Sequence, residues 1–256
     1  MIANYHTHTP RCRHALGTEE EYVLAAIEGG LKILGFSDHT PQWFPGDYYS
    51  KVRMYPEELA GYCETVQTLQ KQYKDNLQIH LGLEAEYYPA CFGELVSHLR
   101  DAGIDYMILG QHWLHNEIGE RFCGSATEDK TVLIRYCDQV IEAMHTGLFT
   151  YVAHPDLVNF AEDEKIYRQH MRRLCREAKN CGIPLEINLL GLRTGRHYPN
   201  RLFWEIVAEE NCDCILGSDA HTPDSVLNVA AEQKALEMVR DLNLHLIDTV
   251  ELRSIG

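Results

Sequence analysis

No two cysteines in this 256-residue chain stand in the CxxC spacing of a zinc clamp or redox motif. The nine thiols are odd in number and scattered, and Cys212 and Cys214 flank Asp213 in what reads as a buried strand. They are expected to be reduced, in a cytoplasmic protein. No run of eighteen apolar residues occurs, so no membrane span is expected. The opening MIANYHTHTPRCRH lacks the basic-then-apolar order of a signal peptide. Basic residues are few: 23 Lys and Arg against 38 Asp and Glu give a formal charge of −15, which argues against a nucleic-acid surface. There is no Pro/Gly/Ser-rich linker, no low-complexity tract and no repeat longer than a strand–helix unit, so one domain over residues 1–256 is expected. A chain of this size can bury enough surface to fold without a disulfide or a metal, so any metal would be there for chemistry.

What is present is an alternation. Short runs rich in Ile, Leu, Val and Tyr predict strands at Ile2–Tyr5, Ile33–Ser37, Leu77–Leu83, Tyr106–Gly110, Thr150–Ala153, Pro184–Asn188, Cys212–Gly217 and His245–Val250. Between them lie amphipathic stretches with start and stop signals. Thr18 with Glu21 forms a capping box, Pro56 opens a first turn, and Gly29-Gly30, Gly103, Gly147 and Gly182 follow helices. Repeated strand–helix order implies parallel strands and an α/β fold. Two long stretches break the order: Thr40–Tyr55, which contains Trp43, Phe44, Tyr48 and Tyr49, and His115–Glu128, both suited to covering a site.

Polar residues fall at one place in each unit. His6-Thr7-His8 follows the first strand, Ser37-Asp38-His39 the second, and Glu84-Ala85-Glu86 ends the third. Gln111-His112, His154-Pro155-Asp156, Glu186-Ile187-Asn188 and Ser218-Asp219-Ala220-His221 mark the next four. In a parallel barrel those carboxyl ends share one face, where sites are built. His6 and His8, two apart on extended backbone, leave the same side and can grip one ion, as can Asp219 and His221. Asp38 and His39 point oppositely, so His39 is expected as a ligand and Asp38 as its support or a proton carrier. Imidazoles mixed with carboxylates suit Zn, Mn or Fe, and so many ligands imply two or three ions sharing a carboxylate. The histidines at 80, 98, 115, 145, 170 and 245 are expected to pack or to meet solvent, as are Arg11, Arg13 and the acidic stretch 162–164.

These motifs, in this order, resemble the polymerase and histidinol phosphatase (PHP) family, and the resemblance runs from Asn4 to about His221. It implies a distorted seven-stranded (β/α) barrel, TIM-like, holding three divalent metal ions. Carried over, the first ion would take His6, His8, Glu84 and Asp219, and the second Glu84, His112 and His154. The third would take His14, His39 and His221, with Glu84 as the bridging carboxylate. His14 enters only through the resemblance, since it lies in a loop that the strand-end pattern does not reach. The stretches HTHTPRCRHALGTEEEYVLAAIEGGLKILGFSDHTP and EINLLGLRTGRHYP are similar to the histidinol-phosphate phosphatase branch of that family, which acts in histidine biosynthesis.

The implied reaction is hydrolysis of a small phosphomonoester, with Glu84 and Asp219 holding the cations. Divalent ions lower the pKa of bound water from 15.7 toward ~7, so hydroxide is available to attack phosphorus at neutral pH. Three of them would shift the formal charge from −15 to about −9 and make the cleft positive. Arg193 or Arg196 would clamp phosphate through a guanidinium fork. Asp38 or Asp156 would protonate the leaving oxygen, and Glu117 would meet the cationic end of the organic half. Alternatives are the same chemistry on another small phosphate, on phosphotyrosine or on a nucleotide diester, and a non-catalytic metal-binding interaction module. The sequence leaves the oligomeric state open.

Overall fold

The computed structural model describes residues 1–44 and 46–255, and one curled sheet organises it. Eight parallel strands pair in sequence order: β1 (Ala3–Asn4), β2 (Ile33–His39), β3 (Gln78–Ala85), β4 (Tyr106–Leu109), β5 (Phe149–Val152), β6 (Leu185–Asn188), β7 (Asp213–Gly217) and β8 (His245–Leu246). Helices α1 (Glu19–Glu28), α2 (Leu59–Gln72), α3 (Phe92–Leu99), α4 (Lys130–His145), α5 (Glu164–Asn180), α6 (Leu189–Thr194), α7 (Arg201–Glu210) and α8 (Val229–Leu242) connect them. Thr18 and Glu21 close the capping box of α1, the Thr18 N–H donating to Glu21 at 2.6 Å. Pro56 opens a 3-10 turn that leads into α2.

The expected seven-stranded barrel appears with one qualification. The sheet edges meet only at the carboxyl end, where Thr7 and Ala220 form a parallel bridge beyond β1 and β7. There the His8 N–H donates to the Ala220 carbonyl at 2.9 Å, and Asn4 Oδ1 accepts the Ser218 N–H at 2.9 Å. At the amino end β8 pairs with β7 instead, so the eighth strand lies outside that closure. Strands β2 and β3 run two residues further than their apolar runs predict, which brings His39 and Glu84 into register as partners.

Two apolar layers hold the sheet. The larger lies between strands and helices; the smaller fills the ring from inside with Tyr5, Tyr106, Ile108, Tyr151 and Ile215. Tyr106 lies across β2 and β3, where Gly35 and Gly82 leave the room its ring needs, and donates to the Tyr5 carbonyl at 2.6 Å. The ring is therefore plugged beneath the face that carries the polar strand ends. The nine cysteines are unpaired and seven are buried. Among the described residues no helix is long and apolar enough to cross a membrane.

Candidate metal centre

The carboxyl ends of the strands open into a cleft of ≈ 410 Å³ whose lining includes His8, His14, His39, Glu84, His112, His154, Asp219 and His221. His6 lies just beneath, fully buried. All nine residues expected as ligands therefore gather at one mouth. Glu84 stands at its centre and divides it. Its Oε2 lies 3.0 Å from His39 Nδ1, 3.5 Å from His8 Nε2 and 3.6 Å from His6 Nε2. Its Oε1 faces His154 Nε2 at 2.8 Å and His112 Nε2 at 3.7 Å. One oxygen for each half of the cluster is the arrangement a shared carboxylate needs. Asp219 Oδ1 adds a third anionic point, 3.2 Å from His8 Nε2 and 3.3 Å from His221 Nδ1.

Most of the imidazoles are aimed from behind. His6 Nδ1 meets Glu186 at 2.7 Å, His112 Nδ1 meets Glu86 at 3.0 Å, and His14 Nδ1 donates to the Cys12 carbonyl at 2.7 Å. His8 Nδ1 lies 3.5 Å from Asp38, and His221 Nδ1 lies 3.1 Å from the Asp219 carbonyl. In the first four Nδ1 is turned outward, which leaves Nε2 for the interior, the habit of metal-binding histidines with an outer carboxylate or carbonyl, whereas His221 Nδ1 also faces Asp219 Oδ1. Ligand atoms of His6, His8 and Asp219, of His6, Glu84 and His154, of His8, His39 and Glu84, and of His14, His39 and His221 cluster within 4.8 Å.

Without cations this arrangement is electrostatically uncomfortable. Burial opposes a charge on His6, but Glu186, Asp219 and Glu84 outweigh it and lift the imidazole to about 10. Burial and the neighbouring His8 and His112 push His39 down to about 4, despite Glu84. Burial alone would raise Glu84, yet His39, His112 and His6, with the bond from His154, hold it well below the usual carboxylate range. Glu84 Oε2, His39 Nδ1 and His221 Nε2 are buried without a hydrogen-bond partner. Converging lone pairs left unpartnered in a carboxylate-rich pocket fit divalent cations, which answer the negative charge while each imidazole stays neutral. His154 and Asp219, with φ of 29° and 47°, adopt the left-handed backbone that non-glycine residues avoid, a strain that recurs at functional sites.

The remaining expected residues fall differently. Arg196 lines the cleft and donates to Tyr198 Oη at 2.6 Å. Arg193 is absent from that lining and turns toward the Ser218 carbonyl at 3.5 Å. Neither Asp38 nor Asp156 is brought into the cleft. Asp38 accepts the His39 N–H at 2.8 Å and the Thr9 hydroxyl, while Asp156 accepts the Asn200 N–H at 2.5 Å, at the start of α7. Burial raises the Asp156 carboxyl to about 7. Glu117 is engaged as well: Arg53 Nε donates to it at 2.9 Å and Tyr48 Oη at 2.8 Å, so its carboxylate is satisfied within the protein.

The strand-end pattern named Glu86, Glu186 and Asn188 without giving them a place in the site. Glu86 stands two residues after Glu84 and Asn188 two after Glu186, the same spacing that paired His6 with His8. Asn188 Nδ2 ties Glu186 to Asp219 at 3.0 and 3.1 Å.

Glycine makes room for the two central carboxylates. A Cβ on Gly110 would fall inside the Glu84 carboxylate, and one on Gly217 inside that of Glu186. Gly110→Ala should therefore displace Glu84 and lower kcat/KM by about 10²-fold, the cost of misplacing a reacting geometry by about 1 Å. Gly61→Ala on α2, where a Cβ meets nothing within 4 Å, should leave activity unchanged and raise stability by about 0.5–1 kcal/mol in urea unfolding. Equal activities in the two variants would contradict this cradle.

The comparisons with known proteins agree in direction. The PHP domain model matches residues 4–189. A Deinococcus radiodurans protein named "Probable histidinol-phosphatase" is 32% identical over 242 residues, which cover 88% of each chain. The histidinol-phosphatase of Bacillus subtilis is 25% identical over 256 residues, covering 86% of this chain and 94% of that one. Histidinol phosphate phosphatase from Lactococcus lactis, solved with zinc, L-histidinol and phosphate, superposes with a TM-score of 0.75 at 20% identity. The match covers 98% of this chain and 97% of that one, and shows a shared fold.

Proposed function

This chain belongs to the PHP domain family, and from that premise we propose that it is a metal-dependent phosphatase acting on L-histidinol phosphate, one functional unit over residues 1–256. The observation that carries the reading is the mouth built around Glu84, where imidazole and carboxylate atoms from six strand ends converge and several lack partners. A relative named for that activity, similar along nearly the whole chain, supports the choice of substrate.

In this reading three divalent ions, Zn, Mn or Fe, are held as the sequence motifs suggest. His6, His8, Glu84 and Asp219 hold the first, Glu84, His112 and His154 the second, and His14, His39 and His221 the third. When bound, such ions neutralise phosphate charge and supply hydroxide at neutral pH. The protein's own residues do the rest. Arg196 reaches the cleft wall and can present its guanidinium to a phosphate oxygen; Arg193 backs Asp219 and Ser218 from below. Asp38 fixes His8 and the His39 backbone, and Asp156 ties the segment after β5 to the start of α7; both hold positions. Trp113, Phe122, Val52 and Leu190 form an apolar wall for the organic half. Because Glu117 is satisfied internally, the cationic end of the substrate would meet the faces of Trp113 and Phe122 instead. A cytoplasmic biosynthetic setting follows from this substrate.

A substrate panel tests the proposal. With Mn or Zn present, kcat/KM for L-histidinol phosphate should exceed that for phosphotyrosine, glycerol phosphate and a thymidine dinucleotide by about 10²-fold or more, since losing contacts of the organic half costs a few kcal/mol. Equal rates on all monoesters would refute the assigned substrate but not the chemistry, and preference for the dinucleotide would refute both.

A further inference from the structure

Arg53 lies between β2 and α2, where loop arginines ordinarily meet water. Its side chain is only 1% exposed and makes contacts in several directions. Nη1 and Nη2 grip both oxygens of Glu86, at 2.7 and 3.0 Å. Nε and Nη2 reach Glu117 Oε2 at 2.9 and 2.8 Å, and Nη1 also donates to the Thr40 carbonyl at 3.2 Å. The guanidinium thus ties the end of its own segment to its beginning, and ties both to the segment that carries Glu117. Tyr48, from the same segment, completes the clasp on Glu117.

One atom connects this clasp to the mouth. Glu86 Oε1 accepts from Arg53 Nη2 and also meets His112 Nδ1, both at 3.0 Å. Holding Nδ1 there leaves His112 Nε2 directed toward Glu84. Undocking the segment would take both guanidinium donors from a carboxylate that is itself 1% exposed, and Glu86 would have to find other partners. Conversely, a cation on His112 Nε2 requires Nδ1 to carry its proton and Glu86 to accept it, which is the arrangement Arg53 stabilises. Coupling between two binding events is reciprocal.

We propose that Arg53 is a positioning residue that links docking of residues 46–55, by way of Glu86, to the affinity of the cation held by His112. The proposal rests on the reading of His112 as a ligand. In the folded wild-type protein, hydrogen exchange in segment 46–55 should slow on addition of Mn. Arg53→Met should weaken the binding of one Mn by about tenfold, the lower end of what disturbing the outer partner of a metal histidine costs, and should abolish that slowing. Arg53→Lys keeps the buried positive charge and so the fold, yet cannot serve Glu86 and Glu117 together; it should give an intermediate affinity and partial slowing. Should the Met variant fail to fold, the Lys variant decides. Wild-type Mn affinity in Arg53→Lys, or a wild-type segment whose exchange ignores Mn, would overturn the proposal while leaving the phosphatase reading intact. A wild-type protein that binds no divalent cation would overturn both.

Discussion

Glu84→Ala should reduce metal-dependent turnover of L-histidinol phosphate by about 10³-fold or more, because several kcal/mol of charge stabilisation depend on the cations it is proposed to hold. The size of the effect follows from where Glu84 sits. Its two oxygens face different halves of the imidazole cluster, so on the proposed ligand set one truncation would remove a ligand from two sites at once. Five imidazoles within 3.7 Å also lose their common negative partner. The variant should still fold, since the mouth lies above the apolar plug rather than within it. Metal content and steady-state rates, measured on the same sample, check both halves of the expectation. Activity within tenfold of wild type would remove Glu84 from its central place.

Chelation should bring activity to background and leave the fold standing. The two apolar layers contain none of the expected ligands, and the sheet pairs through backbone bonds that need no cation. Stability should nonetheless fall. A ligand that binds only the native state at about 100 times its Kd contributes about 2.7 kcal/mol, and for a chain of this size that shifts Tm by about 5–11 °C per site. Without cations, Glu84 and Asp219 would share the buried His6 Nε2 side with no metal charge to answer them. Far-UV circular dichroism with and without chelator would show native helix content and a lower Tm. Complete unfolding on chelation would point to structural ions and favour the interaction-module alternative.

How much of this was readable beforehand depended on periodicity. Strand ends announce themselves where apolar runs stop, and all seven polar clusters lie at one face. The runs understate β2 and β3, because His39 and Glu84 continue the strands as polar residues that an apolar count ends before. Glu86 was recoverable by the two-residue spacing already used for His6 and His8. Arg53 was not, since an irregular segment has no period to show which side chain turns inward. Nor could sequence show that Glu117 is occupied by Arg53 and Tyr48, or that Asp156 is engaged by a backbone N–H at the start of α7. Those partners are brought close only by the folded path of the chain. His14 illustrates the opposite case: a family pattern located it where local physics had no purchase.

The bridge between Thr7 and Ala220 bears on biosynthesis of the molecule itself. Its two halves emerge from the ribosome more than two hundred residues apart, so His6 and His8 are translated long before Asp219 and His221 exist to face them. A nascent polypeptide can assemble its early strand–helix units while still tethered, but the first of the proposed cation pockets has to wait until Asp219 has been made. Metal loading of that pocket should therefore follow synthesis of position 219, and fragments stalled before it should be unable to build the pocket.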